Sequence, residues 1–327
     1  MRFFDWLFKN KTEYQSRVGA PAAKAQTIDL GRILMTVNSL NYRGLYHFSK
    51  SKSWALSWRD WDPISSKGGQ RDSGLGEYVL VDVSRDIVSA HGKMPRPNNG
   101  SIADNGSFSL EDWHFGSALS GTFRVFDSNG VPVVTKELTA NILDSGISRN
   151  GKLAFCITAN SPTDHANKLF LFDLGTGTEL FSITPRTAGT DSYSFDEEGT
   201  LLIVDVMGVG KYRYDKNGVF LDADKLDGAN LCSSQYDRII LAADRILGEP
   251  GLSEAGVRTV LKAITRARSI GADANPSWKP MALKAQGLAH EILGQHLEAI
   301  QVYEEAITLN PKIGVKRKLD ALKKMVG

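Results

Sequence analysis

This sequence has little of what usually announces a chemistry. It has two cysteines in 327 residues, Cys156 and Cys232, too few for a disulfide framework or a cysteine-rich zinc site. Charge of one sign is missing as well: 39 Lys and Arg stand against 37 Asp and Glu, so no global excess points to nucleic acid or an anionic membrane. The longest apolar runs fall short of the roughly 18 residues a transmembrane helix requires. The six histidines, at 47, 91, 114, 165, 290 and 296, form no His-Glu-x-x-His pair, and no Gly-x-Ser-x-Gly elbow occurs. Two partial motifs fail on detail. Gly146–Lys152 fits the start of a phosphate loop, but Leu153 replaces the magnesium-binding hydroxyl residue and a strand follows where a helix is needed. Asp222–Gly228 imitates a calcium loop with its third carboxylate one place late and no Glu at the twelfth position, so a helix start or linker is expected there. Cys156 lies in the apolar run Phe155-Cys-Ile157 and reads as a buried structural thiol. No catalytic residue, cofactor or metal site is therefore expected.

What is present is ordinary for a globular chain: 42% hydrophobic and 23% charged residues. The length suits about two domains at roughly 150 residues each. The opening segment has Phe3, Phe4, Leu7 and Phe8 on one helical face with Trp6 nearby, interrupted by Asp5. It is too short and too charged for a signal peptide. It reads as a short helix packing on its own domain, or as a docking peptide for a partner or membrane surface. Residues 19–26 follow as a linker. Few thiols and no export signal give a cytoplasmic location as the expectation.

From about residue 40 to 222 a pattern recurs. An apolar or aromatic alternation ends in Asp at Asp82, Asp127, Asp173 and Asp215, spaced 45, 46 and 42 residues apart. Three of these lead into glycine-bearing turns, Ser128-Asn-Gly130, Leu174–Gly177 and Lys216-Asn-Gly218, and then another short apolar run. A second element precedes each: Ile102–Phe108, Ile147–Leu153 and Phe195–Leu201, an apolar residue, a polar turn with glycine, and a new strand. Phe48–Trp54 is a copy without the glycine. Each unit thus holds three or four antiparallel strands joined by short turns. These elements resemble the blade pattern of WD40-like β-propellers, and the period agrees with that family's four-stranded blade. The Gly-His dipeptide is missing, and Phe-Asp or Tyr-Asp stands where Trp-Asp is commonest. The resemblance implies blades packed about an axis. Four are legible, and Thr27–Val37 offers either a fifth sheet or a helix. An open or incomplete ring would leave a sheet edge needing cover.

The first unit carries an insertion, Trp58–Gly76, rich in Gly, Ser and charge and too long for a tight hairpin. Long loops are often binding loops, and Trp and Arg are favoured interface anchors. Trp58, Arg59, Trp61 and Arg71 of this stretch, and Trp113 in the matching place of the second unit, are candidate partner contacts; the tryptophans read equally as blade core. After residue 228 helical spacing takes over. Segments near 236–247, 253–267, 280–293, 297–309 and 315–325 read as helices. Gly287, Gly294, Ala299, Tyr303, Ala306 and Pro311 resemble a tetratricopeptide repeat, which implies a closely packed helix pair in a solenoid. Leu283 stands where that family has tryptophan and His290 at its aromatic or aliphatic place. The last helix would cap the stack. Its Lys316, Arg317 and Lys323 are candidate contacts for an acidic partner, or a solvated face.

The expected architecture is therefore β plus α: an N-terminal segment (1–26), a propeller-like domain (27–228) of four or five blades, and an α-helical solenoid (229–327). The expected function is non-enzymatic protein interaction, as adaptor, scaffold or inhibitory partner. An enzyme of hydrolase or lyase type at the mouth of the blades is the competing reading, and a scaffold held at a membrane by the N-terminal aromatics is the third. The partner expected is a protein, with no nucleic acid and no membrane insertion.

Overall fold

The computed structural model describes residues 28–69, 71–187 and 192–326. The N-terminal aromatic face and the linker of the sequence analysis lie outside them. The chain divides into two compact units, 28–206 with Lys211–Leu221, and Met207–Gly210 with the residues from Asp222 onward.

The first unit is all antiparallel sheet. Sheet 1 takes β1 (Ile28–Leu30), β2 (Leu34–Val37), β3 (Tyr42–Phe48) and β4 (Trp54–Arg59); after a small hairpin of β5 (Trp61–Asp62) and β6 (Lys67–Gly68) it adds β7 (Gly76–Asp82) and β8 (Ile87–Met94). Sheet 2 is β9 (Pro97–Ile102), β10 (Phe108–Asp112), β11 (Gly121–Phe126) and β12 (Pro132–Leu138). Sheet 3 is β13 (Ile142–Ile147), β14 (Leu153–Thr158), β15 (Leu169–Asp173) and β16 (Thr178–Ile183), and sheet 4 is β17 (Ser192–Phe195), β18 (Leu202–Val206) and β19 (Gly210–Tyr214). Each sheet runs in chain order, and the first strands β9, β13 and β17 stand against one another. This is a propeller-like arrangement. It is open: among the described residues, sheets 1 and 4 meet at the exposed pair Lys50–Glu197, 4.0 Å apart, with no packed seam between them.

The repeated aspartates end the third strand and cap the turn that follows. Asp127 Oδ1 accepts from Asn129 and Val131 N–H at 2.8 and 2.9 Å, and Asp215 Oδ1 does the same for Asn217 and Val219 at 2.9 and 2.8 Å. Asp82 and Asp173 accept from the corresponding turn amides. Such short carboxylate-to-backbone bonds explain why these turns keep Asp. The turns β3–β4, β9–β10, β13–β14 and β17–β18 stack in series. Asp104 N–H donates to Arg149 O at 2.8 Å, and the Asn150 side chain donates to Glu198 O at 2.7 Å. Gly151 (φ +68°) and Gly199 (φ +66°) hold the left-handed place in these turns, and a Cβ there would sit 2.3 Å from Asn105 or 2.8 Å from Asn150. In the glycine-free first copy Lys52 takes that place at φ +61°.

Apolar side chains fill the spaces between sheets. Leu56, Tyr78, Leu80, Phe108, Leu110 and Phe126 pack sheet 1 on sheet 2, with the Phe108 and Phe126 rings stacked at 4.9 Å. Phe123, Ala154, Cys156, Phe170 and Phe172 belong to the next core, and Phe155 meets Tyr193 at 5.9 Å across sheets 3 and 4. Within the expected fifth sheet or helix, residues 28–37 form neither. They are the hairpin β1–β2, hydrogen-bonded to β3, and Met35 and Val37 join Ala55, Val79 and Val81 in a separate buried cluster. The first sheet thus covers its second face with its own N-terminal strands, which is why every residue of β7 is buried.

Among the described residues the second unit has six α-helices: α1 (Ala223–Leu231), α2 (Tyr236–Leu247), α3 (Glu254–Ser269), α4 (Trp278–Ile292), α5 (His296–Leu309) and α6 (Lys316–Val326). The calcium-loop mimic is the start of α1, and Ser253 caps α3 by accepting from Gly256 N–H at 3.2 Å. Gly287 lets α4 and α5 approach: a Cβ there would lie 2.4 Å from the ring of buried Tyr303. Leu319 and Leu322 turn α6 onto Ala299 and Tyr303.

The turn stacking gives a graded expectation. Gly151→Ala should lower the unfolding free energy of the β unit by more than the ~1–3 kcal/mol of left-handed strain alone, because the methyl also meets Asn105. Gly116→Ala, at φ +81° with open space around it, should show the strain alone. Equal urea midpoints for the two variants would contradict the stacking.

Candidate functional site: the loop end of sheets 1 and 2

One end of the β unit carries the β4–β7 connection, 60–75, the β10–β11 loop, 113–120, and the crossing between sheets 1 and 2 at 95–96. The insertion is held there by ion pairs. Arg71 bridges to Asp60 and donates from Nη2 to Pro95 O at 2.7 Å; Arg96 reaches the other Asp60 oxygen at 3.1 Å and His114 O at 3.1 Å. The Arg71 guanidinium also lies 5.4 Å from the centre of the Phe115 ring, a cation–π contact joining the two loops. Asp112 Oδ1 accepts from Arg96 and His114 N–H at 3.1 and 3.2 Å. The His114 ring lies between Ser120 Oγ and Thr122 Oγ1 at 3.1 and 2.7 Å. Inside the small hairpin, Asp62 accepts from the backbone of Ile64 and Ser65. Removing one member of a buried pair of this kind strands the other charge, at about 3–5 kcal/mol. The loop is therefore a fixed structure.

On this frame sit large apolar side chains turned to solvent. Trp61 is 44% exposed, Ile64 93% and Trp113 47%, and Leu75 and Leu119 are exposed as well. Trp113 is pinned at one end only: its Nε1–H donates to Glu111 Oε2 at 2.7 Å. Glu111 is 1% exposed and makes no ion pair among the described residues. Its Oε1 accepts from Asn99 Nδ2 at 2.9 Å and from Ser145 Oγ at 2.7 Å, so one carboxylate ties β9, β10, β13 and the Trp113 loop together. Burial pushes its carboxyl above the usual carboxylate range, against the three hydrogen bonds that favour the charged form. Asp144, on β13, is raised by burial too, and accepts from Tyr193 N–H of sheet 4 at 3.4 Å.

The candidate residues fall into three places. Trp61 and Trp113 are both exposed on the loops of this end. Trp58, Arg59 and Arg71 support it: Trp58 stacks on His47 at 5.3 Å and packs on Gly100, Arg59 pairs with Glu77 at 2.6 Å over the Tyr42 ring, and Arg71 is buried. Lys316, Arg317 and Lys323 stand on α6 of the other unit, Lys323 paired with Glu304 at 2.6 Å. Ile64, Leu75, Leu119 and Glu111 were not singled out in the sequence. The signal for Glu111 is its place in Phe108-Ser-Leu-Glu-Asp112, where a strand buried on both faces ends in two acids. Among the described residues, no group of three or more His, Cys, Asp or Glu is placed to hold a metal ion, and no helix is long and apolar enough to cross a membrane.

Glu111→Gln should be tolerated, since its amide can donate to Ser145 and Asn99 and accept from Trp113. A carboxyl raised in the folded state destabilises at neutral pH, and the penalty fades as pH falls through the raised value toward the ordinary one. Relative to wild type, Glu111→Gln should therefore be better placed at pH 7 than at pH 5 in urea unfolding. Glu111→Ala, which takes the shared acceptor from Asn99, Trp113 and the buried Ser145, should lose about 1–3 kcal/mol at both. A Glu111→Gln variant that gains on wild type with acidification would contradict this assignment.

No protein-family model matches the chain, and no curated protein does. A solved structure titled "Structure of Dos1 propeller" is similar to it at 15% identity and a TM-score of 0.37, over 56% of this chain and 47% of that one. The chain spans about half the length of that structure, and a likeness this low adds no argument about the site.

Proposed function

We propose that this is a non-enzymatic protein-interaction protein, an adaptor, scaffold or inhibitory partner, that binds a protein through the loop end of sheets 1 and 2. The observation that carries the reading is the pairing of exposed Trp61, Ile64 and Trp113 with the buried network beneath them. Exposed apolar side chains usually lose on binding what they must give up in freedom. Here Asp60, Arg71, Arg96 and Glu111 fix the backbone and one indole before any partner arrives, which reduces that loss. Rigid tryptophans amid smaller apolar residues have the composition of an interface centre. In this reading the sheets are WD40-like blades, and the α4–α5 pair is a tetratricopeptide-like hairpin in a solenoid that adds a second surface. The protein works in the cytoplasm, without a cofactor.

Trp61→Ala with Trp113→Ala tests this on the full chain. Affinity purification from the native host, followed by mass spectrometry, should return proteins with wild type that the double variant loses. Each tryptophan should be worth about 2 kcal/mol or more, roughly 30-fold in affinity. Circular dichroism should show the variant folded. An unchanged set of co-eluting proteins from a folded double variant would overturn the proposal.

A further inference from the structure

Helix α6 carries Lys316, Arg317, Lys318, Lys323 and Lys324 against one acid, Asp320, with Lys312 just ahead of it. The helix has two distinct sides. Leu319 and Leu322 are buried and set its inward face. Lys318 and Lys323 are accounted for within the unit, reaching Glu291 of α4 at 3.1 Å and Glu304 of α5 at 2.6 Å. Helical spacing puts Arg317 and Lys324 directly opposite the two leucines, with Lys316 on the flank next to Lys323. All three are exposed, as is Lys312, and none of the four makes an ion pair among the described residues.

Helix stability accounts for only part of this set. A cation in the last turn is favoured by the helix dipole, and Lys324 has that place. Lys316 and Arg317 stand in the first turn, at the positive end, where the dipole favours acids and α6 has none. Lys312 adds to the same end. The face therefore concentrates positive charge where the fold gains nothing from it. Asp320 lies between these cations and offsets one charge of the set.

We propose that the outward face of α6, in the helical unit, docks an acidic segment of a partner protein. Charge complementarity selects that occupant. Stable attachment to an anionic membrane takes a broad apolar face beside the charge, and with Leu319 and Leu322 buried α6 exposes only Met325 and Val326 at its end. Single-stranded nucleic acid would need aromatic platforms, and α6 has no aromatic residue. Carboxylates on a flexible chain need only the exposed Lys and Arg heads.

The test uses the full chain and a fluorescein-labelled peptide of ten glutamates, read by anisotropy at low salt. Wild type should bind saturably and more weakly as salt rises. Arg317→Glu with Lys324→Glu should weaken binding at least tenfold. The matched reversal Lys216→Glu with Lys262→Glu, at exposed lysines of a turn and of α3, should change it less than twofold. Equal weakening in both variants would reduce the effect to net charge and overturn the proposal, as would no saturable binding. Tighter binding of a 20-nucleotide single strand or of phosphatidylserine vesicles, lost in the α6 variant, would replace the acidic protein by that ligand. Because these residues and the tryptophans belong to different units, the outcome is read separately from the tryptophan variants.

Discussion

A four-stranded sheet with apolar residues on both faces cannot stay in water alone; each face needs a cover. In this protein the cover for one sheet is the next. Phe108 and Phe126 belong to sheet 2 yet complete the core of Leu56 and Leu80, and Phe123 with Cys156 repeats the arrangement one sheet on. The close approach this needs is set by the turns, where Gly151 and Gly199 rest against the asparagine of the preceding turn. An open array leaves its first sheet with one face uncovered. The hairpin β1–β2 supplies that cover through Met35 and Val37, so β7 is buried on both sides.

The loop end follows from this packing. Because sheets 1 and 2 are locked together, the loops leaving them are held at fixed separation, and Arg71, Asp60 and Arg96 can span them. Glu111 sits where sheets 2 and 3 meet and reaches out to the Trp113 indole. The same packing that buries the sheets therefore orients the exposed ring. A surface built this way is tied to the sheets beneath it by ion pairs and hydrogen bonds.

Much of the fold could be read from the sequence because its cause is local. The aspartates at 82, 127, 173 and 215 recur since each caps its own turn two to four residues on. Helices α2 to α6 were legible from apolar spacing and from Ser253, Gly287 and Pro311. What escaped was set by distant neighbours. Lys52 and Asp86 adopt the left-handed place (φ +61° and +54°) that glycine marks elsewhere, so the first unit looked irregular. Segment 27–37 is short enough to suit several structures, and only pairing with β3 decides. At the site, Trp61 and Trp113 were visible as loop aromatics. Glu111 was not, since its donors come from Asn99 and Ser145, 12 and 34 residues away.

The claim that the N-terminal hairpin covers sheet 1 is tested most directly by amide hydrogen exchange on Met35→Ala with Val37→Ala. If the hairpin is that cover, the cavity should weaken protection through β4 and β7, at Ala55, Val79 and Val81, by about 2–5 kcal/mol. Loss of protection confined to residues 28–48, with β4 and β7 unchanged, would contradict it.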